Sequence, residues 1–333
     1  MTTSPSSSDI YSMEEKMMFP CPKAEKVKIE SFFTIATIIA LILFSLLAVS
    51  CKITQKEFAS PETAVQDLVK ALQADNEKEL LSIFGPEGED LLYSGDPVAD
   101  QRTRQKFLQA YEAQNHIEQD GEKFVLIIGK NDWPFPIPIV ARGNSWIFDT
   151  LSGKQEILDR RIGRNEMNTI QVLLAIVDAE REYAMEDRNS DGLLEYARKF
   201  NSEPGKKDGL YWTTQGEGET SPLGELIVKA RSAGYESQGQ EYENEPYHGY
   251  IFRILTAQGK NAPGGAYDYI VKGKMIGGFA VLAYPAEYDN SGVMTFIVNH
   301  DGIVYQKDLG ENTQQLAAGM TLYDPDETWT VAQ

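Results

Sequence analysis

The sequence predicts an α+β protein in two parts behind an N-terminal leader. Three observations predict it. Residues 60–114 carry helical periodicity with capping signals, and residues 124–148 carry short strand-like runs. The order then repeats, with a long amphipathic helix near 168–185 and strands towards the C-terminus. Helices grouped apart from strands, in a chain without regular β-α alternation, mark the α+β class.

The leader comes first. Residues 32–50 are uncharged and mostly apolar, Lys23, Lys26 and Lys28 precede them, and Ala48-Val49-Ser50-Cys51 ends the run. Basic, apolar, small, then cysteine is the layout of a bacterial lipoprotein signal, so Cys51 is the expected lipidation site and new N-terminus. The run is also about as long as the 20 or so apolar residues that span a bilayer, which keeps an uncleaved anchor as the second reading. The lysines would remain inside in either case, and the rest of the chain would be exported. Residues 1–17 are rich in Ser and Thr and carry Asp9, Glu14 and Glu15, which is unusual for a signal. Met13, Met17 and Met18 offer later starts.

Residues 51–58 read as a polar tether. Ser60-Pro61-Glu62 supplies an N-cap, a proline at the first helical position and an acid in the first turn, with Ala64, Val65, Leu68, Val69 and Leu72 following at helical spacing. A second helix is expected over Glu77 to Phe84, ending at Gly85, and a third over Asp100 to Gln114. Strands are expected at Phe124 to Ile128, Ile137 to Val140 and Trp146 to Phe148. Trp133-Pro134-Phe135-Pro136-Ile137-Pro138 belongs at an edge or in an extended crossover, because proline donates no ladder hydrogen bond. Asp159-Arg160-Arg161-Ile162-Gly163-Arg164-Asn165-Glu166 reads as a charged hinge between a domain of residues 59–158 and one of residues 159–333. After it come a helix from Asn168 to Met185, a short helix near Leu193 to Phe200, and a helix capped by Ser221-Pro222 that stops near Gly234. Strands are expected at Tyr250 to Thr256, Gly277 to Tyr284, Val293 to Val298 and Ile303 to Gln306, with Asn299-His300-Asp301-Gly302 as a hairpin turn.

Helices followed by a curved sheet in residues 59–158 resemble the nuclear-transport-factor-two-like cone, a fold that implies a pocket without naming its use. Gly249-Tyr250-x-Phe252, Ala283-Tyr284-Pro285, Gly292-x-x-Thr295-Phe296 and Asp301-Gly302 resemble late-strand phrases of type IV pilin and pseudopilin modules. The apolar run lies too far upstream to be a pilin stem. Several phrases together resemble a bacterial exported family known only as a domain of unknown function (number 2950). They are Phe58-Ala59-Ser60-Pro61-Glu62, Ser94-Gly95-Asp96-Pro97, the proline-rich stretch from Trp133, Arg160 to Glu166, Asp208-Gly209-Leu210-Tyr211-Trp212, Pro263 to Tyr269 and Asp308-Leu309-Gly310. That resemblance implies an exported, frequently lipid-anchored protein and no activity.

The formal charge is −19. A field of that sign opposes nucleic acid and anionic surfaces, and suits a cationic partner such as a metal ion. The only cysteines are Cys21 and Cys51, so no disulfide is expected after the leader. Asp187-Arg188-Asn189-Ser190-Asp191-Gly192 matches the first half of a calcium loop, with Glu195 at the ninth position, but Arg198 stands where the bidentate acid belongs. Asp187, Asn189, Asp191 and Glu195 are the candidate Ca2+ ligands, against the plainer reading of a polar turn. Arg160, Arg161 and Arg164 are candidates for holding a carboxylate or phosphate, against a salt-bridge network with Asp159 and Glu166. Trp133, in a surface stretch, is a further ligand-binding candidate.

Catalytic signals are thin. His116, His248 and His300 lie in separate segments, there is no Gly-x-Ser-x-Gly elbow, and Gly264-Gly265 lacks the lysine of a phosphate loop. The expected protein is a membrane-tethered envelope lipoprotein that binds or scaffolds an envelope protein partner. The alternative is an exported, carboxylate-based hydrolase with its site in the first domain.

Overall fold

The computed structural model describes residues 54–213, 220–235 and 245–332. Ile53–Gln333 forms a compact unit. Cys51 and the leader lie outside the described residues. Among the described residues, no helix is long and apolar enough to cross a membrane.

The fold is α+β. Helix α1, Pro61–Gln73, starts where the capping signal places it: Ser60 Oγ accepts from Thr63 N at 3.3 Å. Helix α2, Glu77–Phe84, is capped by Asn76, whose side chain accepts from Glu79 N. One short turn of helix, α3 (Glu89–Leu92), leads to α4, Pro97–Ala113. Helix α4 begins three residues earlier than expected, because Asp96 caps it and Pro97 takes its first position.

Five strands follow: β1 (Asn115–Asp120), β2 (Lys123–Ile128), β3 (Trp133–Pro134), β4 (Ile139–Arg142) and β5 (Ser145–Phe148). They form an antiparallel sheet in the order β1-β2-β4-β5, with β3 also pairing with β2. Strand β1 escaped the sequence reading because all but one of its residues are exposed, which leaves no apolar alternation to see. The proline-rich stretch contributes only the two residues of β3 to the sheet, as an edge segment should.

The expected tether is docked. Phe58 is buried and pairs with Trp146 through two backbone hydrogen bonds, while Gln55 Nε2 donates to the carbonyls of Phe148 and Ile83. Lys56 adds ion pairs to Asp67 and Glu79. Polarity at these positions reflects hydrogen bonds into the sheet and helices.

The charged hinge is also corrected. A single helix, α5, runs unbroken over Thr150–Tyr183. Its buried stripe is Leu158, Arg161, Asn165, Thr169, Val172, Leu173, Ile176, Val177, Glu180 and Tyr183. The spacing is helical throughout, but the stripe turns polar at 161, 165 and 169. A count of apolar periodicity stops there although the helix does not. Gly153, near its start, permits close approach: a Cβ there would lie 2.3 Å from Pro136 O.

Residues 187–200 contain no helix, against the one expected near Leu193. Tyr196 N instead donates to Met275 O, and Ala197 N to Glu180 Oε2, tying the segment to its neighbours in place of a helix's own bonds. Helix α6, Gly224–Ser232, follows Ser221-Pro222. Next come β6 (Tyr250–Leu255), β7 (Ala257–Gln258), β8 (Tyr267–Asp268), β9 (Ile270–Val271), β10 (Lys274–Met275), β11 (Ala280–Pro285), β12 (Met294–Asn299) and β13 (Tyr305–Asp308). Helix α7 (Thr313–Gly319) and β14 (Thr330–Val331) complete the chain. The larger sheet here is antiparallel, in the order β14-β13-β12-β11-β6.

Two hydrophobic clusters result. One, from Phe58 to Phe148, packs α1 and α2 against the first sheet. The other, from Val172 to Tyr323, packs the second half of α5 and α6 against the second sheet. Helix α5 leaves the first and enters the second.

Candidate functional site

The interior of the first half is filled by aromatic side chains. Phe84, Phe135 and Phe148 are buried, and the ring centroids of Phe84 and Phe148 are 5.5 Å apart. The cleft lies in the second half instead. It has a volume of about 380 Å³ and is walled by Val172 and Ile176 of α5, Leu223, Leu226, Ile227 and Ala230 of and beside α6, and Phe200, Tyr211 and Phe252. Asp96, Pro97, Val98, Tyr235, Glu245 and Tyr247 close one end. An apolar cavity of this size with a few polar groups at one end is the usual form of a small-molecule site.

The polar end is built from three segments. Asp96 is fully buried. Its Oδ1 accepts from Ala99 N at 2.9 Å as the cap of α4, while its Oδ2 accepts from Tyr235 Oη and Gly249 N, both at 2.8 Å. His248 N donates to Tyr235 Oη at 3.2 Å. Burial, and then the Asp96 charge, push the Tyr235 hydroxyl far above the usual phenol range, so it stays a donor. His248 and Gly249 both have positive φ, 54° and 78°. Gly249 also has no room for a side chain: a Cβ would meet Asn165 Nδ2 at 2.6 Å. The start of α4, the middle of α5 and the turn 247–249 therefore meet at one place.

The aromatic rings of this turn pack together. Tyr247 and His248 have ring centroids 4.2 Å apart, and Tyr235 and Tyr247 4.8 Å apart. The His248 pKa is lowered by burial, against the pull of Asp96, with further depression from Arg102, Arg164 and Lys106. Asp96 is a fastening and not a free base: two backbone N–H groups and a phenol occupy it, whereas a general base must reach a substrate proton.

The residues singled out from the sequence fall in different places. Arg160 and Trp133 come together, with the guanidinium 5.9 Å from the ring centroid and Arg160 Nη2 2.5 Å from Glu156 Oε1. Arg161, one position on and turned by about 100° around the helix, is buried. It donates to the carbonyls of Asp90 and Leu91 at 2.7 and 2.8 Å and to Asn290 Oδ1. It is thus a structural clamp between α3 and the loop before β12. Arg164 is exposed on the side of the 247–249 turn. The three arginines do not form one anion clamp.

Asp187, Asn189, Asp191 and Glu195 are brought together, and Lys274 sits among them. Asp187 Oδ1 and Oδ2 accept from Asp191 N and Gly192 N, and Asn189 Nδ2 donates to Glu195 Oε1. The Lys274 ammonium pairs with Asp191 and with Glu195, the latter at 3.1 Å. The set matches a polar turn with a lysine at its centre, and among the described residues no group of three or more His, Cys, Asp or Glu is placed to hold a metal ion. His116 lies on β1, exposed and 2.9 Å from Glu118, while His300 is in the turn before β13. The histidines remain separate.

Sequence reasoning missed Asp96, Tyr235 and Tyr247. The Asp-Pro pair was a legible cap signal for α4, but nothing local marks Tyr235, whose partner Asp96 lies 139 positions away, or Tyr247, which packs on Tyr235 and His248.

A family model described as protein of unknown function (DUF2950) matches residues 55–332. No curated protein and no solved structure matches the chain.

Proposed function

Since the chain belongs to this family of proteins of unknown function, DUF2950, we propose from its own geometry that it is a non-enzymatic binding module that takes a small apolar ligand into the cleft between α5, α6 and β6. One observation carries the reading: an apolar cleft of about 380 Å³ whose one buried acid among the described residues, Asp96, is already committed to three hydrogen bonds. Apolar walls favour retention of a ligand over polarisation of a reacting bond. The rival, an exported carboxylate-based hydrolase, needs a free acid in the first half, whose interior is instead packed with phenylalanine.

The module works outside the cytoplasm, held at a membrane of the cell envelope through a lipid on Cys51 or through the leader as a helix, where it serves an envelope partner. The layout of residues 23–51 supports this. Helices preceding a sheet in residues 59–158 support a nuclear-transport-factor-two-like reading of that part. A long helix followed by an antiparallel sheet supports a pilin-like reading of residues 159–333. Neither architecture brings an activity with it.

Two measurements test these readings. Nile red, a neutral apolar dye, should fluoresce strongly with the protein and lose that signal in Val172→Trp, which fills the cleft; an undiminished signal in the variant would overturn the cleft as the site. Metabolic fatty-acid labelling should disappear in Cys51→Ala, and labelling that persists there removes the lipid assignment.

A further inference from the structure

In a chain with a net charge of −19, three cations without an ion pair or hydrogen bond among the described residues lie around His248, beside the polar end of the cleft. Arg102 and Lys106 lie four residues apart on α4, on one face of the helix whose first residues, Pro97 and Val98, line the cleft. Arg164 projects from α5 next to Asn165, the residue that abuts Gly249. All three act on His248, and Arg102 acts on Tyr247, which lines the cleft. Among the described residues no ion pair or hydrogen bond engages Arg102, Lys106 or Arg164, whereas Arg104, on the same helix, is paired with Asp75 and Glu77. Asp96, which lines this end of the cleft, is buried and directs its oxygens to Ala99 N, Gly249 N and Tyr235 Oη. Glu245, the other acid among the described residues that line the cleft, is exposed.

We infer that the cleft binds an amphiphile with an anionic head: the apolar tail lies along Val172, Ile176, Ile227 and Phe252, and the carboxylate or phosphate head meets Arg102, Lys106 and Arg164 beside His248. The inference rests on the apolar-cleft reading and adds the head-group chemistry. An uncharged apolar ligand would leave the three cations unused. A cationic amphiphile would be repelled by them. An anionic head gains charge-assisted hydrogen bonds, which are stronger than neutral ones and which guanidinium groups supply in a planar fork.

The test is calorimetric titration of the compact unit, residues 53–333, which contains both hydrophobic clusters complete. Decanoate, decanol and decyltrimethylammonium have equal tails and differ in the head. Decanoate should bind about tenfold more tightly than decanol, the value of one charge-assisted bond, and the ammonium more weakly than either. The triple variant Arg102→Gln, Lys106→Gln, Arg164→Gln should lose the decanoate advantage and keep decanol affinity. Equal affinities in the unmodified protein, or a decanoate advantage that survives the triple variant, overturn the anionic-head assignment while leaving the cleft reading intact. Absence of binding by all three probes overturns both. Sedimentation with phosphatidylglycerol vesicles separates the sources of the head group: co-sedimentation lost in the triple variant assigns a membrane lipid, and decanoate binding without co-sedimentation assigns a free acid.

Discussion

The hydroxyl of Tyr235 donates to Asp96 Oδ2 at 2.8 Å, joining residues 139 positions apart at a point where both are buried. Asp96 caps α4, and Tyr235 follows α6, so one carboxylate fastens the end of the first helical group to the wall of the cleft. Removing it should cost more than a cap. Asp96→Ala gives up a capping bond and leaves Gly249 N and Tyr235 Oη unpaired, for a loss of about 3 kcal/mol. Tyr235→Phe leaves Asp96 its two backbone donors and should cost about 1 kcal/mol. Urea denaturation of the two single variants and the double variant checks this, with the double variant expected to be less destabilised than the sum of the singles.

Arg161 and Arg160 are neighbours with unequal weight. Arg161→Met should destabilise by about 3 kcal/mol, because the carbonyls of Asp90 and Leu91 lose their donor in a buried place. Arg160→Gln should stay within about 1 kcal/mol, since its contacts to Glu156 and Trp133 lie at the surface. Thermal melts of the two variants separate the readings, and equal losses would refute the assignment of Arg161 as the clamp.

Glu180 predicts a pH dependence. It is fully buried, with Oε2 accepting from Ala197 N and Oε1 without a partner, and burial raises its pKa well above the ordinary value of 4.5. In the unfolded chain the group releases its proton near that ordinary value, whereas in the folded chain it keeps it. Between the two values the folded state binds more protons, so stability falls as pH rises from the unfolded value through the folded one. Glu180→Gln should flatten this decline, measured as denaturation midpoints from acidic to neutral pH. A part of the slope should remain, because burial also raises Asp100.

Lys274 competes with any cation for the loop at 187–195. Its ammonium pairs with Asp191 and Glu195, two of the four candidate ligands. Lys274→Ala frees both carboxylates, and calcium titration should therefore show tighter binding in the variant than in the unmodified protein. Equal heats in the two would mean that the lysine does not hold the position.

The parts of the fold legible from the sequence are those set by neighbours along the chain. Ser60-Pro61 places the start of α1, Gly85 follows the end of α2, and the glycine of Asn299-His300-Asp301-Gly302 takes the positive φ that the turn needs, 82°. The misread parts are those where burial is polar. Arg161, Asn165 and Thr169 lie on the inner stripe of α5, and their polarity made a continuous helix look like a hinge. Residues 54–58 looked like a tether because Gln55 and Lys56 are polar, yet each has a partner in the body of the protein. Of the four expected ligand-binding residues, Arg164 alone acts on His248. The difference among the arginines is a matter of helical angle relative to packed neighbours, which the residue type does not disclose.

By itself the sequence determined the α+β class, the order of most helices and strands and the acidic balance, because capping, periodicity and charge are carried by residues within a few positions of one another. Only the tertiary structure decided where the cleft lies, that Asp96 is consumed in fastening it, and that Arg102, Lys106 and Arg164 come close enough to His248 to act on it. Those facts depend on segments more than fifty residues apart meeting in a low-dielectric interior, where an acid is held by distant donors and a cation counts by what it faces.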